Sequence, residues 1–354
     1  MRRSAGRTPL ILGVKTIVED SERQTIPSDR REAADASTDS SAQLPISIKT
    51  ILVPLDFSRA AMQALDYATD LAKRFSAQVD LVHVQMPDEA SAVPGAGHRM
   101  RECAESVTFL REKVAGIQHE QPAQFWPENC HIRTGRAYQE ICELARELHA
   151  DLIVLTSHGH SGLKRVFLGS TAERVVRFAS CPVLVVRQRK RRGRFPLGLP
   201  TTEKTSSIRK ILAPVDFSQC SMAGAMYAAF MAKTFDAKLC LFHSVAPPAP
   251  VVMGRISANL SSRNNLNLTN ARLDMEGFAK LDFFRGVKCA TEIRTGSAVD
   301  QICGETKQPD IDLVVISTHG RTGFNRMLLG SVAEHVVRYA ECPVMVVPSR
   351  CSTS

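Results

Sequence analysis

The 354-residue chain contains no run of about 18 apolar residues, the length a helix needs to cross a bilayer, so its composition argues against a membrane span. It has no Cys-x-x-Cys pair and no His/Cys spacing of the kind that holds zinc. Its ten cysteines are scattered singly, the usage expected of reduced thiols in a cytosol. No Gly-Lys-Ser/Thr follows its glycines, which excludes a Walker A phosphate loop. Aromatic residues are scarce at 6%, and the lone Trp126 carries no signal. No aromatic residues interleave with basic ones, so the usual mark of a nucleic-acid face is missing. The opening MRRSAGRTPLILGVKTIVED turns from basic to apolar, but Lys15 breaks the apolar part and no small-residue cleavage site follows. It is therefore not read as a secretory signal. The expectation is a cytoplasmic protein without membrane or nucleic-acid partners.

What is present is ordinary globular material, 44% hydrophobic and 23% charged. The formal charge of +9 has a local source in RQRKRRGR, Arg187 to Arg194, which reads as a solvated linker.

The main feature is a repeat. KTILVPLDFSRAAMQALDYATDLAKRFSAQVDLVHV aligns with RKILAPVDFSQCSMAGAMYAAFMAKTFDAKLCLFHS, and HIRTGRAYQEICELARELHADLIVLTSHGHSGLKRVFLGS with EIRTGSAVDQICGETKQPDIDLVVISTHGRTGFNRMLLGS. The offset is 160 at Asp56/Asp216 and 161 from Thr134/Thr295 onward, and only 85–129 and 245–289 fail to match. So long a period is a duplicated domain, not a solenoid. The polar residues 1–45 are read as disordered. Residues 46–188 form a first domain, 189–205 a basic linker, and 206–349 a second domain.

Within each copy, short Val/Ile/Leu runs alternate with helical spacing. In the first, TILVPL, VDLVHV, CHIR, DLIVLTS and PVLVVR read as strands. Ser58 to Phe75, a stretch near Arg101 to Val114, Ala137 to Leu148, and Ser170 to Phe178 read as helices. That order predicts two α/β domains in tandem, each a doubly wound, Rossmann-like parallel sheet. Ligands of such sheets bind beyond the carboxyl ends of the strands.

Two groups stand there. Asp56-Phe57-Ser58 and Asp216-Phe217-Ser218 follow the first strand of each copy. The acid can meet ribose or adenine, or Asp56 or Ser58 can simply cap the next helix. After the fourth strand come Ser157-His158-Gly159-His160-Ser161-Gly162 and Thr318-His319-Gly320-Arg321-Thr322-Gly323. Each continues after six residues into Gly169-Ser170 or Gly330-Ser331. A glycine loop that feeds a helix N-terminus suits an anion, with Lys164, Arg165, Arg321 and Arg326 adding charge nearby. The rival is a capping box, since Ser170-x-x-Glu173 and Ser331-x-x-Glu334 both fit that pattern.

Together these motifs resemble the universal stress protein family, in two UspA-like copies covering about 290 of the 354 residues. They are V-P-x-D-x-S, the His at the second strand's end, R-T-G, the glycine loop, and E-x-V-V-R-x-A-x-C-P-V-x-V-V. The resemblance implies the adenine nucleotide alpha hydrolase-like form of the fold. It also implies binding of ATP, or AMP or ADP, with Mg²⁺ accompanying ATP, a role in stress response or signalling, and at most slow hydrolysis. It places Pro54, Asp56, Ser58 and Val84 about the nucleoside, and Thr156, Gly159, Gly162, Gly169, Ser170 and Thr171 about the phosphates. In the second copy it assigns Pro214, Asp216, Ser218, Ser244, Ser317, Gly320, Gly323, Gly330, Ser331 and Val332 in the same way. Gly159 to Gly169 and Gly320 to Gly330 each enclose nine residues, as in the family's ATP-binding loop. Thr156 and Ser317 stand where that loop begins with glycine, and a backbone requiring φ > 0 would disfavour them. The family also pairs domains through the last strand, implying intramolecular pairing and allowing a homodimer.

No catalytic residue and no metal ligand is assigned. His83 and His243 are read as packing or backbone-bonding residues. The recurring Cys142/Cys303 and Cys181/Cys342 are read as buried packing. The alternative function is a pairing module that binds no nucleotide, its Gly-Ser loops being helix caps. A phosphohydrolase or adenylyl transferase is a third reading, but no acid/base constellation supports it.

Overall fold

The structure, a computed structural model, describes residues 46–85, 129–157, 168–187, 208–246, 257–308, 310–320 and 329–348. The expected disordered segment, the helix near Arg101 and the basic linker lie outside the described residues. So do Gly159, Gly162, Gly323 and the loop's basic residues.

In the first copy, β1 (Thr50–Pro54), α1 (Arg59–Phe75), β2 (Gln78–Gln85), β3 (Cys130–Thr134), α2 (Ala137–Glu147), β4 (Leu152–Thr156), α3 (Ser170–Phe178) and β5 (Val183–Val186) follow one another. The second copy contributes β6 (Lys210–Pro214), α4 (Gln219–Phe235), β7 (Lys238–Val245), α5 (Ser257–Ala279), β8 (Lys288–Thr295), α6 (Ala298–Thr306), β9 (Leu313–Ser317), α7 (Ser331–Tyr339) and β10 (Val344–Val347). Helix α5 falls in the region without repeat similarity. Its sequence is mostly polar, and among the described side chains Ala271, Met275 and Phe278 are its buried apolar residues.

The strands form a single sheet in the order β3-β2-β1-β4-β5-β10-β9-β6-β7-β8. All neighbours are parallel except β5 and β10, which pair antiparallel through Val183↔Val346, Leu184↔Met345 and Val185↔Val344. The two sheets thereby become one, and the apolar cores on both faces run across the joint. The strands' near-continuous Val, Ile and Leu are what burial on both faces demands.

A repeated acid ties each half together at the strand N-terminal ends. Asp151 Oδ2 accepts from the N–H groups of Lys49 (2.7 Å) and Thr50 (3.0 Å), and Asp312 Oδ2 from Arg209 (2.8 Å) and Lys210 (3.1 Å). These aspartates sit opposite the ligand end, so their recurrence is structural.

The joint between the halves is asymmetric. The Arg187 guanidinium, just past β5, donates to the carbonyls of Val337 and Arg338 in the last turn of α7. Burial pushes its pKa below the ordinary arginine value. A cation at a helix C-terminus satisfies orphan carbonyls and opposes the dipole. Arg338 in turn contacts Glu173 of α3 (3.6 Å) and Glu334 (3.1 Å). In the other half Pro348 stands at the place of Arg187. There a cavity of about 800 Å³ remains, its lining including Arg146, His149, Cys181, Gln219, Tyr227 and Pro348.

Replacing Arg187 by Met leaves two helix-end carbonyls without their donor. We expect a loss of about 1–3 kcal/mol in urea unfolding, with Lys at the same position recovering part of it. An Arg187→Met protein as stable as the parent would contradict the role of this arginine in the joint.

Candidate functional site

Each half carries a crevice at its switch point. β1 pairs with β4 only at Ile51↔Leu152 and Leu52↔Ile153, and β6 with β9 only at Ile211↔Leu313 and Leu212↔Val314. Beyond those pairs the strands part. Successive N–H groups of a strand point to opposite sides, and Leu55 N–H donates to Val82 in β2 (2.8 Å). The preceding position, Pro54, therefore faces β4, and proline has no N–H to offer there. Pro214 is placed in the same way, because Val215 N–H donates to Phe242 (2.8 Å). Thus Pro54 and Pro214 line the opening. By the same alternation Val84 aims its N–H and C=O to the side of Val82. That side is the space left where β1 has ended, while β2 runs on to Gln85. Ser244 does likewise beyond Phe242, and its hydroxyl donates to Gly296 O (2.8 Å).

The acid enters on a tight turn. Phe57 and Phe217 adopt φ of 60° and 63°, left-handed values that are uncommon for bulky residues. Asp56 Oδ1 accepts from Ser58 N–H (3.0 Å). Asp216 Oδ1 accepts from Ser218 N–H (3.1 Å) and from its hydroxyl (2.6 Å). Ser58 and Ser218 are the N-caps of α1 and α4, accepting from Ala61 and Ser221 N–H at 3.1 Å each. The capping reading thus holds for these serines, and each acid braces the turn with one oxygen. In the second half the other oxygen faces the glycine loop: a Cβ on Gly320 would lie 2.4 Å from Asp216 Oδ2. Strand-end acid and loop glycine are brought together.

At the far side of the crevice the helices α3 and α7 begin. Their N-caps are Gly169 and Gly330, without any side-chain capping bond. This corrects the capping-box expectation. Ser170 and Ser331 are the first helical residues, one position too late to cap, and both are exposed. The N–H groups of the first three helical positions have no intrahelical acceptor, by the geometry of any helix. Thr171 is exposed beside Ser170, while the Val332 side chain packs on the core and leaves its backbone to the site. Gly169 N–H donates to Ser157 O (2.7 Å) and Gly330 N–H to Thr318 O (2.8 Å). Both glycines have φ near −60°, so glycine is there for closeness, not for a left-handed backbone.

Thr156 and Ser317, in place of the family's first glycine, end strands β4 and β9, and neither has positive φ. The substitution carries no backbone strain. Ser317 donates its hydroxyl to His319 O (2.8 Å), and His319 Nδ1 meets Thr318 Oγ1 (3.0 Å). Among the described residues no three His, Cys, Asp or Glu side chains gather as metal ligands do.

The model of the universal stress protein family matches residues 47–187 and again 207–348. The chain belongs to the universal stress protein family. A universal stress protein of Mycolicibacterium smegmatis is 27% identical over 313 residues, 85% of this chain and 97% of its own. One of Methanocaldococcus jannaschii, MJ0531, is 34% identical over 145 residues, 40% of this chain and 84% of its own. The crystal structure of a universal stress protein from Archaeoglobus fulgidus superposes with a TM-score of 0.58 at 19% identity, over 84% of this chain and 98% of that one. The last likeness shows the tandem α/β fold. No helix among the described residues is long and apolar enough to cross a membrane.

Sequence reasoning named the site's ends but missed how its turn is held. Phe57 and Phe217 were passed over as spacers. The signal was available: a His follows each Asp-Phe-Ser aspartate by 27 residues, as His83 and His243.

The recurring cysteines are packing residues. Burial pushes the thiols of Cys142 and Cys240 up to about 11 and that of Cys181 to about 12.

Two predictions come from this geometry. A Cβ at Gly330 would stand 2.8 Å from Thr318 O, against 3.4 Å from Ser157 O at Gly169. Gly330→Ala therefore destabilises by about 1–3 kcal/mol in chemical unfolding, and Gly169→Ala by about 1 kcal/mol or less. Equal losses would contradict the difference in clearance. Raised thiol pKa values in the fold mean that the unfolded chain ionises first as pH rises. Stability is thus full below the ordinary thiol value of 9.0 and falls above it. Melting scans between pH 7 and 10 read this directly, and a Cys142→Ala/Cys181→Ala/Cys240→Ala protein should lose part of the slope.

Proposed function

We propose that each half binds one adenine nucleotide, ATP with Mg²⁺, in the crevice between β1 and β4 or β6 and β9. The observation that carries this reading is the behaviour of Ser170 and Ser331. Neither caps its helix, so each presents a hydroxyl and free first-turn N–H groups beside a glycine-lined opening. That is the chemistry a phosphate chain requires. The acid opposite, Asp56 or Asp216, has the acceptor character to meet ribose hydroxyls or the adenine amine. The backbone of Val84 or Ser244, left without a β1 neighbour, can read the base edge.

The glycines let the backbone come close to the acid and the strand end, since a Cβ on Gly320 or Gly330 would collide with Asp216 or Thr318. With no acidic cluster among the described residues, Mg²⁺ would be held chiefly by the nucleotide's own phosphate oxygens. The chain's residues bind and orient. Any hydrolysis is at most slow, and the function is a nucleotide-dependent surface in stress response or signalling within the cytoplasm. The β5–β10 pairing makes one molecule the counterpart of a domain pair. The pairing module without nucleotide is the second reading; Thr156 and Ser317 in place of the family's first glycine favour it, whereas Ser170 and Ser331, which do not cap their helices, favour the first.

Titration calorimetry with Mg-ATP on Gly169→Val and Gly330→Val tests the assignment. Each variant should lose one of the two binding events and keep the other. Heats unchanged in both variants would place the nucleotide elsewhere or remove it from the account.

A further inference from the structure

The turn that presents the acid is held from below by a histidine in both halves. His83 Nδ1 lies 2.8 Å from Leu55 O, the carbonyl immediately before Asp56. His243 Nδ1 lies 2.7 Å from Val215 O, immediately before Asp216. A carbonyl only accepts, so in each case Nδ1 carries the proton. The same ring packs against the left-handed phenylalanine: Phe57–His83 centroids are 4.6 Å apart at 37°, and Phe217–His243 4.5 Å apart at 38°. His243 is buried.

Each histidine thus touches the residue before the acid and the residue after it. Phenylalanine at positive φ is disfavoured by its own Cβ and persists only where the surroundings over-determine it. Here two contacts do so, one on the carbonyl and one on the ring. Two halves that share only part of their sequence repeat the arrangement to within 0.1 Å. Simple core filling does not explain a polar ring at that position, because Leu or Phe would fill it without needing a partner.

We infer that His83 and His243 are positioning residues for the nucleotide. Through the Leu55 or Val215 carbonyl and the left-handed phenylalanine, each fixes the direction in which Asp56 or Asp216 points into the crevice. This inference rests on the proposed nucleotide site, and it adds a residue that does not itself touch the ligand.

The test uses the full-length chain. His243→Leu removes the donor, while His243→Asn keeps an N–H at nearly the reach of Nδ1. Mg-ATP affinity of the second half should fall about tenfold in the leucine variant, the worth of one oriented hydrogen bond, and about threefold or less in the asparagine variant. The first half, measured in the same titration, serves as the control for folding. The decisive comparison is a cycle with Asp216→Ala. If the histidine acts through the acid, His243→Leu causes no further loss in the Asp216→Ala background. An equal loss in both backgrounds, or no loss in either, overturns the inference while leaving the nucleotide site standing. A wild-type chain that binds no Mg-ATP overturns both. Nitrogen-15 spectra give a readout independent of ligand: the Nδ1–H tautomer is expected for His83 and His243, and the Nε2–H tautomer would also overturn the inference.

Discussion

The site depends on one constraint, the parting of two parallel strands that start out paired. β1 and β4 share a ladder for two residues and then diverge, and β6 and β9 repeat this. A proline at the end of the first strand cannot donate across the gap, so nothing closes it. Everything placed in the crevice follows from that opening: the acid on its strained turn, the unspent backbone of Val84 or Ser244, and the helix that begins at Gly169 or Gly330. The N-terminal ends of the same strands are tied by Asp151 and Asp312, which keeps the divergence at one end.

Duplication adds a second layer. The antiparallel β5–β10 ladder runs the two sheets into one, so the crevices of the two halves open toward opposite ends of the strands. The helices that begin at the two sites meet across the joint through Arg338 and Glu173. The halves are not interchangeable. Arg187 secures the C-terminal end of α7, whereas Pro348 leaves a cavity at the matching place. An asymmetry of this kind is open to a tandem chain and closed to a pair of identical domains.

Much of this was legible in the residues. Alternating apolar runs and helical spacing located the first half's described strands and helices to within a residue or two, because strands buried on both faces leave little freedom in composition. The antiparallel joint between the halves is a contact 161 residues apart, and no local pattern specifies it. The sequence left the role of Ser170 open for a physical reason. A capping box and a phosphate loop place the same residue types at the same spacing, and only the backbone dihedrals show that Gly169 holds the cap. The turn at Phe57 was legible only through the 27-residue spacing from Asp56 to His83, because the ring it packs against stands on another strand. Helix α5 escaped notice because its sequence is mostly polar and lies in the stretch that the two copies do not share.

The central claim is that both crevices hold an adenine nucleotide. The most direct measurement is to purify the intact chain, denature it, and identify and count what it releases by chromatography and mass spectrometry, after saturation with Mg-ATP and removal of excess. The account predicts two adenine nucleotides per chain. None released, together with no heat on adding Mg-ATP to the native protein, would contradict it and leave a paired α/β scaffold whose crevices serve another ligand or none.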